Sequence, residues 1–421
     1  MMKQVTAILL GAGQRGAEAY ASYALDYSNE LKFVGVAEPR KDRREEFARL
    51  HGISKENAVE SDMELLNRPK MADCVLICTQ DQMHYEALKL AAEKGYHILC
   101  EKPISPVKSE LEEIKKLAEE YDKVISICHV LRYSPFFREI KKLLDDGTIG
   151  QLIDIQHIES VGYWHMAHSF VRGNWRNKAL SSPMILQKCC HDMDILLWLV
   201  GSSCKRLSSF GSLTHFKKEN APEDAPAYCL DGCAHREACP YFAPRFYLED
   251  LEEKGGTFAK VVSLKTDKES VINALKDGPY GRCVYHCDND VVDHQVVNLQ
   301  FENDVTVSMT MCAFTNKCER IINLMGTKGQ IRGNMEENEI VVEDFATGKT
   351  TKIVVKVPKG GHSGSDVSMM KEFVNLVATG GTAKSVSAAS ESVESHLMAL
   401  VAEESREHGG AVYEMKGFGE K

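Results

Sequence analysis

The chain has 421 residues, 43% hydrophobic and 27% charged, with a formal net charge of -10. That length exceeds one ordinary hydrophobic core, so two domains are expected. The acidic balance argues against nucleic acid and anionic membranes as main partners, since both demand basic footprints, and leaves room for a local basic pocket that takes a small anion.

No stretch approaches a membrane span, and the apolar run Val5–Leu10 is too short for a secretory signal. Fourteen cysteines without such a signal point to reduced thiols in the cytoplasm.

Val5-Thr6-Ala7-Ile8-Leu9-Leu10 has the character of a strand buried on both faces of a parallel sheet. Gly11-Ala12-Gly13-Gln14-Arg15-Gly16 follows at once, then a helix-compatible segment 17–27, then a second strand 33–37 that ends in Glu38. This is a βαβ unit with G-x-G-x-x-G at its first turn. Gly11 permits the tight turn, Gly13 lets the backbone approach a pyrophosphate, and Gly16 lets helix and strand pack closely. The helix N-terminus offers free N–H groups to the phosphates. Glu38 is placed to accept hydrogen bonds from the ribose hydroxyls of NAD and to repel the 2′-phosphate of NADP. Arg40, Arg43 and Arg44 come straight after it and work in the opposite sense, so NAD is preferred and NADP stays open.

The alternation continues with a helix over Lys41–His51, a strand 72–78, the loop Thr79-Gln80-Asp81-Gln82-Met83-His84, a helix 85–94 and a strand 97–100. That last strand ends in Glu101-Lys102-Pro103, a poor way to build a core and a good way to hold an ammonium over a cleft. Ligands of open parallel sheets sit at the carboxyl ends of the strands, where Cys78, Thr79, His84, Glu101 and Lys102 fall. His84 is equally well a surface histidine at a helix start. An amphipathic helix 106–121 and a strand 124–128 complete the first domain, whose boundary is expected near 130. Residues 1–130 would form the cofactor domain and 131–421 the substrate and oligomerisation domain. In the latter, a helix 134–146 precedes a strand 152–162. Strands 291–299 and 305–314 flank the turn Glu302-Asn303-Asp304, and 321–324, 329–332 and 340–344 extend the sheet. Helices 369–378 and 388–405 close the chain.

The dinucleotide fingerprint, the Thr79…His84 loop, Glu101-Lys102-Pro103, Arg132-Tyr133-Ser134-Pro135 and His191-Asp192-Met193-Asp194 together resemble the glucose–fructose oxidoreductase/inositol dehydrogenase/rhizopine-catabolism (Gfo/Idh/MocA) family. The match is close over residues 1 to about 200 and loose beyond. The resemblance implies an α/β protein: an N-terminal Rossmann domain plus a C-terminal α/β domain with a large open, mainly antiparallel sheet. That sheet often forms an oligomer interface in the family, so a homo-oligomer, dimer or tetramer, is expected. Gly11 to Gly16, Ala12, Gln14 and Arg15 included, with Glu38, Arg40, Cys78, Thr79, His84, Glu101 and Lys102, become the candidate cofactor contacts. Lys102 would lie by the nicotinamide and the reacting hydroxyl, with a cis peptide before Pro103.

Oxidation of a secondary alcohol, or its reverse, needs a hydride acceptor, a proton acceptor and a donor that stabilises the alkoxide. Lys102 suits the donor and His191 the base. Many family members carry an aspartate four residues before that histidine, where this chain has Gln187. Lys188 adds a second cation. Either His191 carries the base role alone or Lys188 contributes, for instance by binding a substrate carboxylate or phosphate. Between the motifs, Trp164, His165, His168, Arg172, Trp175 and Arg176 are candidate substrate contacts, since aromatic faces and polar tips suit a sugar pocket. The other reading is an ordered loop packed on the second domain.

Residues 217–288 form a Cys-rich insert. Cys229, Cys233, Cys239, Cys283 and Cys287 give the spacing C-x3-C-x5-C…C-x3-C. Four thiolates would hold a structural zinc or an iron–sulfur cluster, with His235 and His286 as alternative ligands. Reduced, partly buried thiols are the competing reading. The expectation is a cytoplasmic NAD(P)-dependent oxidoreductase acting on a secondary hydroxyl of a sugar, cyclitol or glycoside. Its rivals are an NAD-dependent glycoside hydrolase working by transient oxidation and elimination, and a non-catalytic dinucleotide-binding regulator.

Overall fold

The structure is a computed structural model that describes residues 3–253, 255–357, 361–381 and 384–416. Six parallel strands, β1 (Val5–Leu10), β2 (Leu31–Ala37), β3 (Ala58–Val59), β4 (Cys74–Ile77), β5 (His97–Cys100) and β6 (Ile125–Ile127), form the first sheet in the order β3-β2-β1-β4-β5-β6. The order reverses between β1 and β4, the switch point where such sheets bind ligands. Every residue of β4 and β5 is buried, as their unbroken apolar runs require. Where one helix was expected after the glycine loop, a wide-turned helical segment Gln14–Tyr20 leads into a short helix Ser22–Asp26.

The second sheet has nine strands: β7 (Leu152–Ser160), β8 (Cys204–Ser212), β9 (His294–Phe301), β10 (Thr306–Cys312), β11 (Glu319–Gly326), β12 (Gly329–Asn334), β13 (Glu339–Asp344), β14 (Thr350–Val354) and β15 (Tyr413–Glu414). Their order is β14-β13-β12-β11-β7-β10-β9-β8-β15. All neighbours are antiparallel except β7 and β10. One face packs on helices and the other is open: along β7, Ile155 and His157 are buried while Gln156 and Ile158 are exposed. Strands β8 and β14 escape the sequence pattern because β8 is largely polar and β14 is an exposed edge.

The C-terminal helices tie the two sheets together. Met369, Phe373 and Val374 of the helix Gly361–Ala378 share a core with Tyr20 and Phe33 of the Rossmann domain. The helix Ala389–Glu407 places Val393 in the first domain's core and Met398 and Val401 in the second's. Within the insert, helices Ala243–Glu253 and Lys268–Asp277 enclose a small core of their own, with Tyr247, Val271 and Leu275.

Candidate active site

The glycine loop has the shape its sequence demands. Gly11 has φ +87, and a Cβ there would stand 2.5 Å from the Cys78 carbonyl oxygen. At Gly16 a Cβ would lie 2.2 Å from the Gly11 carbonyl oxygen. Above Gly13, by contrast, the nearest atom is a guanidinium nitrogen of Arg43 at 3.7 Å, which leaves space for a phosphate. Glu38 ends β2, buried, and its carboxylate accepts the Ala12 N–H at 2.9 Å and the Arg40 N–H at 3.0 Å. The Arg40 side chain is paired with Asp42 and that of Arg44 with Glu60. At the cleft two buried oxygens, Thr79 Oγ1 and Gln187 Oε1, have no hydrogen-bond partner among the described residues. Open space over Gly13 and buried oxygens awaiting donors fit a dinucleotide laid across the switch point.

Arg15 turns its side chain away from the glycine loop to Glu101 at 3.0 Å and Asp366 at 2.8 Å. Tyr20 also donates to Glu101. Burial would raise the Glu101 pKa, but Arg15 and Lys102 outweigh it and hold the carboxyl below its usual range. Glu101 also accepts the Lys102 N–H at 2.9 Å. The Lys102–Pro103 peptide is cis, as the family resemblance implied. His84 is buried with its ring between two carbonyl oxygens, Pro103 at 2.7 Å and Thr79 at 3.1 Å. It clips the β4 loop to the turn that carries Lys102. The Lys102 ammonium reaches across the cleft and donates to the Gln187 backbone carbonyl at 2.9 Å.

The facing wall is built around Lys188. Its ammonium lies 3.0 Å from Glu159, whose other oxygen is 3.0 Å from Arg320. Arg320 also meets Asp192 at 2.9 Å, and Asp192 lies 2.7 Å from the His157 ring. Burial pushes the Lys188 pKa down, yet Glu159 prevails and raises it, so Lys188 stays an ammonium. Burial pushes Asp192 up, yet Arg320 and His157 prevail and lower it. His191, in the first turn of the helix Cys190–Val200, meets the ring of His129 edge to face at 5.8 Å between centroids. Behind them Arg132 grips Asp194 through two hydrogen bonds at 2.7 and 2.8 Å. Glu159, Arg320, His129 and Asp366 were not legible as site residues, because nothing in their local sequence marks them.

The segment 163–172 is helical, Tyr163–His165 followed by the wide-turned Met166–Arg172, and residues 173–176 turn away from it. His165 stays at the cleft, stacked on Trp164 at 5.7 Å. Burial, then Lys188, drive its pKa well below the ordinary histidine value, which makes it a neutral imidazole. His168 and Arg172 turn the other way, into the insert. His168 Nδ1 is 2.8 Å from the Tyr247 hydroxyl, and burial lowers its pKa to about 3. Buried Arg172 donates to the carbonyls of Arg282 and Tyr241, both at 2.7 Å. Trp175 packs on Phe170, and Arg176 pairs with Asp288 at 2.7 Å.

Of the two readings of the Cys-rich insert, the zinc or iron–sulfur one finds no support among the described residues. Among the described residues no three His, Cys, Asp or Glu side chains converge as metal ligands. Cys229, Cys233, Cys239, Cys283 and Cys287 are free thiols. Burial pushes Cys283 up to about 11, Cys287 donates to the Cys283 carbonyl at 3.3 Å, and Cys229 accepts from Arg172 at 3.7 Å. His235 and His286 each direct Nε2 to a backbone carbonyl, at 2.8 and 3.0 Å. Cys229 packs in the insert's small core, Cys283 in the large C-terminal core with Cys239 and Cys287 against it, and Cys233 is half-buried.

Two family models match successive parts of the chain. One is described as an oxidoreductase family with an NAD-binding Rossmann fold, over residues 5–129; the other as the same family's C-terminal alpha/beta domain, over residues 141–413. The chain belongs to the Gfo/Idh/MocA oxidoreductase family. It is 21% identical over 332 residues to the oxidoreductase YteT of Bacillus subtilis, covering 75% of this chain and 74% of that one. It is 29% identical over 224 residues to the scyllo-inositol 2-dehydrogenase (NAD(+)) of the same organism, covering 51% and 59%. It is 25% identical over 235 residues to the 2,7-anhydro-N-acetylneuraminate hydratase of Mediterraneibacter gnavus, covering 53% and 57%. The chain thus spans little more than half the length of these last two relatives. A levoglucosan dehydrogenase solved with NADH and levoglucosan shares the fold, with TM-score 0.69 at 17% identity over 98% of this chain and all of the other. Among the described residues no helix is long and apolar enough to cross a membrane.

Proposed function

We propose that this family member is an NAD-dependent dehydrogenase that acts on a secondary hydroxyl of a sugar, cyclitol or glycoside, in either direction. The observation that carries the proposal is Lys102 just after β5: its main-chain N–H is held by Glu101, which Arg15 pairs from behind, and its ammonium donates to the Gln187 carbonyl ahead of it. When bound, the nicotinamide supplies the hydride acceptor. Lys102 donates a hydrogen bond to the reacting oxygen and favours its alkoxide form. His191 takes the hydroxyl proton, because Lys188 is held as an ammonium by Glu159 and His165 is deeply depressed. Gln187 Oε1, buried and unpartnered, accepts from a neighbouring substrate hydroxyl. Trp164 and His165 offer ring surface to the sugar's C–H groups. Glu38 at the ribose position favours NAD over NADP. The cyclitol and anhydrosugar named in the relatives support this substrate class.

The experiment is a panel of sugars, polyols and glycosides with NAD, followed at the NADH absorbance and by product analysis. On any substrate found, Lys102→Met should lower kcat by a factor of about 10² or more while NAD still binds. Wild-type turnover by Lys102→Met would overturn the assignment.

The open sheet face supports a homo-oligomer. Phe210, Val296, Thr310, Ile158 and Ile321 lie in register across five strands, and the first two and Ile158 are exposed. Light scattering on wild type and Val296→Glu tests this: the variant should be smaller, and identical masses would refute it.

A further inference from the structure

The charges around Lys102 and Lys188 are matched, and the matching bears on what the cleft accepts. On the C-terminal wall two cations alternate with two carboxylates. Lys188 lies 3.0 Å from Glu159, Glu159 3.0 Å from Arg320, and Arg320 2.9 Å from Asp192. Glu159 and Asp192 are buried, so salt and water screen them little. A further carboxylate, Glu336, accepts the Arg320 N–H at 2.7 Å. On the Rossmann wall Arg15 pairs with Glu101 at 3.0 Å and with Asp366 at 2.8 Å, and Glu101 also accepts the Lys102 N–H. Arg132 is held by Asp194 at 2.7 Å. Among the described residues no cation here lacks a carboxylate to balance it.

Uncharged groups lie beside these pairs. Gln187 Oε1 is a buried acceptor with no partner among the described residues. Such an oxygen calls for a donor, which a hydroxyl supplies and a carboxylate does not. His165 is a neutral imidazole. The Lys188 side chain keeps 14% of its surface exposed, and its ammonium has N–H donors beyond the one turned to Glu159.

An anionic substrate needs an unmatched cation. Where every cation is balanced, a carboxylate or phosphate gives up its water and meets Glu159, Asp192 and the Gln187 oxygen with no net attraction to offset the loss. A hydroxyl has no charge to desolvate. It donates to Gln187 and accepts from Lys188.

We propose that Glu159 is a positioning residue that sets the charge of the substrate: by holding Lys188 it makes the site select uncharged polyols and glycosides and turn away the matching uronates and sugar phosphates. This rests on the dehydrogenase reading above and narrows its substrate class. Lys188 is thereby assigned to a substrate hydroxyl, and the carboxylate or phosphate that its position in the sequence left open is set aside.

The test is a set of matched pairs turned over with NAD by the full chain: D-glucose and D-glucuronate, D-galactose and D-galacturonate, a methyl glucoside and the corresponding methyl glucuronide, and glucose with its phosphate. Wild type should favour the neutral member in kcat/KM by about tenfold or more. Glu159→Gln keeps the side chain's shape and an acceptor oxygen but removes the charge, which leaves Lys188 unmatched. Its ratio of acidic to neutral turnover should rise about tenfold or more, a change of preference that a merely structural residue would not produce. Lys188→Met leaves Glu159 on Arg320 and should keep the neutral preference, so the wild type and this variant decide the matter even if Glu159→Gln does not fold. A wild type that prefers the acidic member and loses that preference in Lys188→Met would overturn the proposal, as would an unchanged ratio in Glu159→Gln with wild-type circular dichroism. Turnover of neither member of any pair, with NAD bound, would count against the dehydrogenase reading beneath it instead.

Discussion

The two walls of the cleft differ in how far their polar groups are already paired. On the Rossmann side the space over Gly13 is open and Thr79 Oγ1 is buried without a partner. On the C-terminal side Gln187 Oε1 also lacks a partner among the described residues, but beside it Lys188, Glu159, Arg320 and Asp192 alternate in charge, with the His157 ring 2.7 Å from Asp192. An orphaned buried atom costs free energy until a ligand satisfies it, so the first wall gains most when something binds. A closed ionic chain has its partners already and holds its shape whether or not a ligand is present. Substitutions on the two walls should therefore report in different assays.

The largest effect is expected on the paired wall. Glu159→Ala leaves Lys188 without its carboxylate and Arg320 with Asp192 alone, and breaking a buried ion pair this way costs about 3–5 kcal/mol. Urea unfolding should show a clear fall in the midpoint; an unchanged midpoint would mean the chain is not structurally important.

Acid should weaken the chain next, through its buried histidines. Burial holds His168 and His396 at about 3, and drives His129 and His165 well down. A folded-state value below the unfolded one means that protons favour the unfolded chain. Stability is thus complete above the unfolded value of about 6.5 and falls as the pH drops toward 3, by up to about 1.4 kcal/mol per pH unit for each such histidine. Asp192, also lowered, adds to the loss only at still lower pH. Urea midpoints at pH 7.5 and 5.5 measure this, and equal midpoints would contradict neutral buried imidazoles.

On the open wall the change should appear in binding. Gly13→Ala adds a methyl that meets nothing in the protein closer than 3.7 Å but fills the phosphate's space. NAD affinity by calorimetry should fall about tenfold or more, about 1.4 kcal/mol, with little change in unfolding. A variant that loses stability and keeps affinity would reverse the comparison. The smallest effect belongs to Thr79→Val, which removes a hydroxyl with no partner among the described residues. Stability should hold while affinity falls about fivefold, roughly 1 kcal/mol.

The same division explains what the sequence revealed. The glycine loop, Glu38, the helix Lys41–His51 and the strand that leads into Lys102 are written in contiguous residues, so local patterns find them. The partners of Lys188 come from β7 and β11, far apart in the chain, and no local pattern joins them. His168 and Arg172 share a short segment with His165, yet a wide-turned helix sends the first two into the insert. Five closely spaced cysteines left metal ligands and partly buried thiols as equal readings, because spacing alone does not show that the side chains divide between two cores. Strand β8 was hidden by its lysine, arginine and serines.

The central claim is that the open wall is a dinucleotide site. Native mass spectrometry of the wild-type chain, as purified and after addition of NAD, tests it most directly, with Gly13→Ala as the comparison. The expected result is one NAD per chain on the wild type and a clearly reduced occupancy on the variant at equal concentration. A wild-type chain that carries no dinucleotide under either condition would contradict the account.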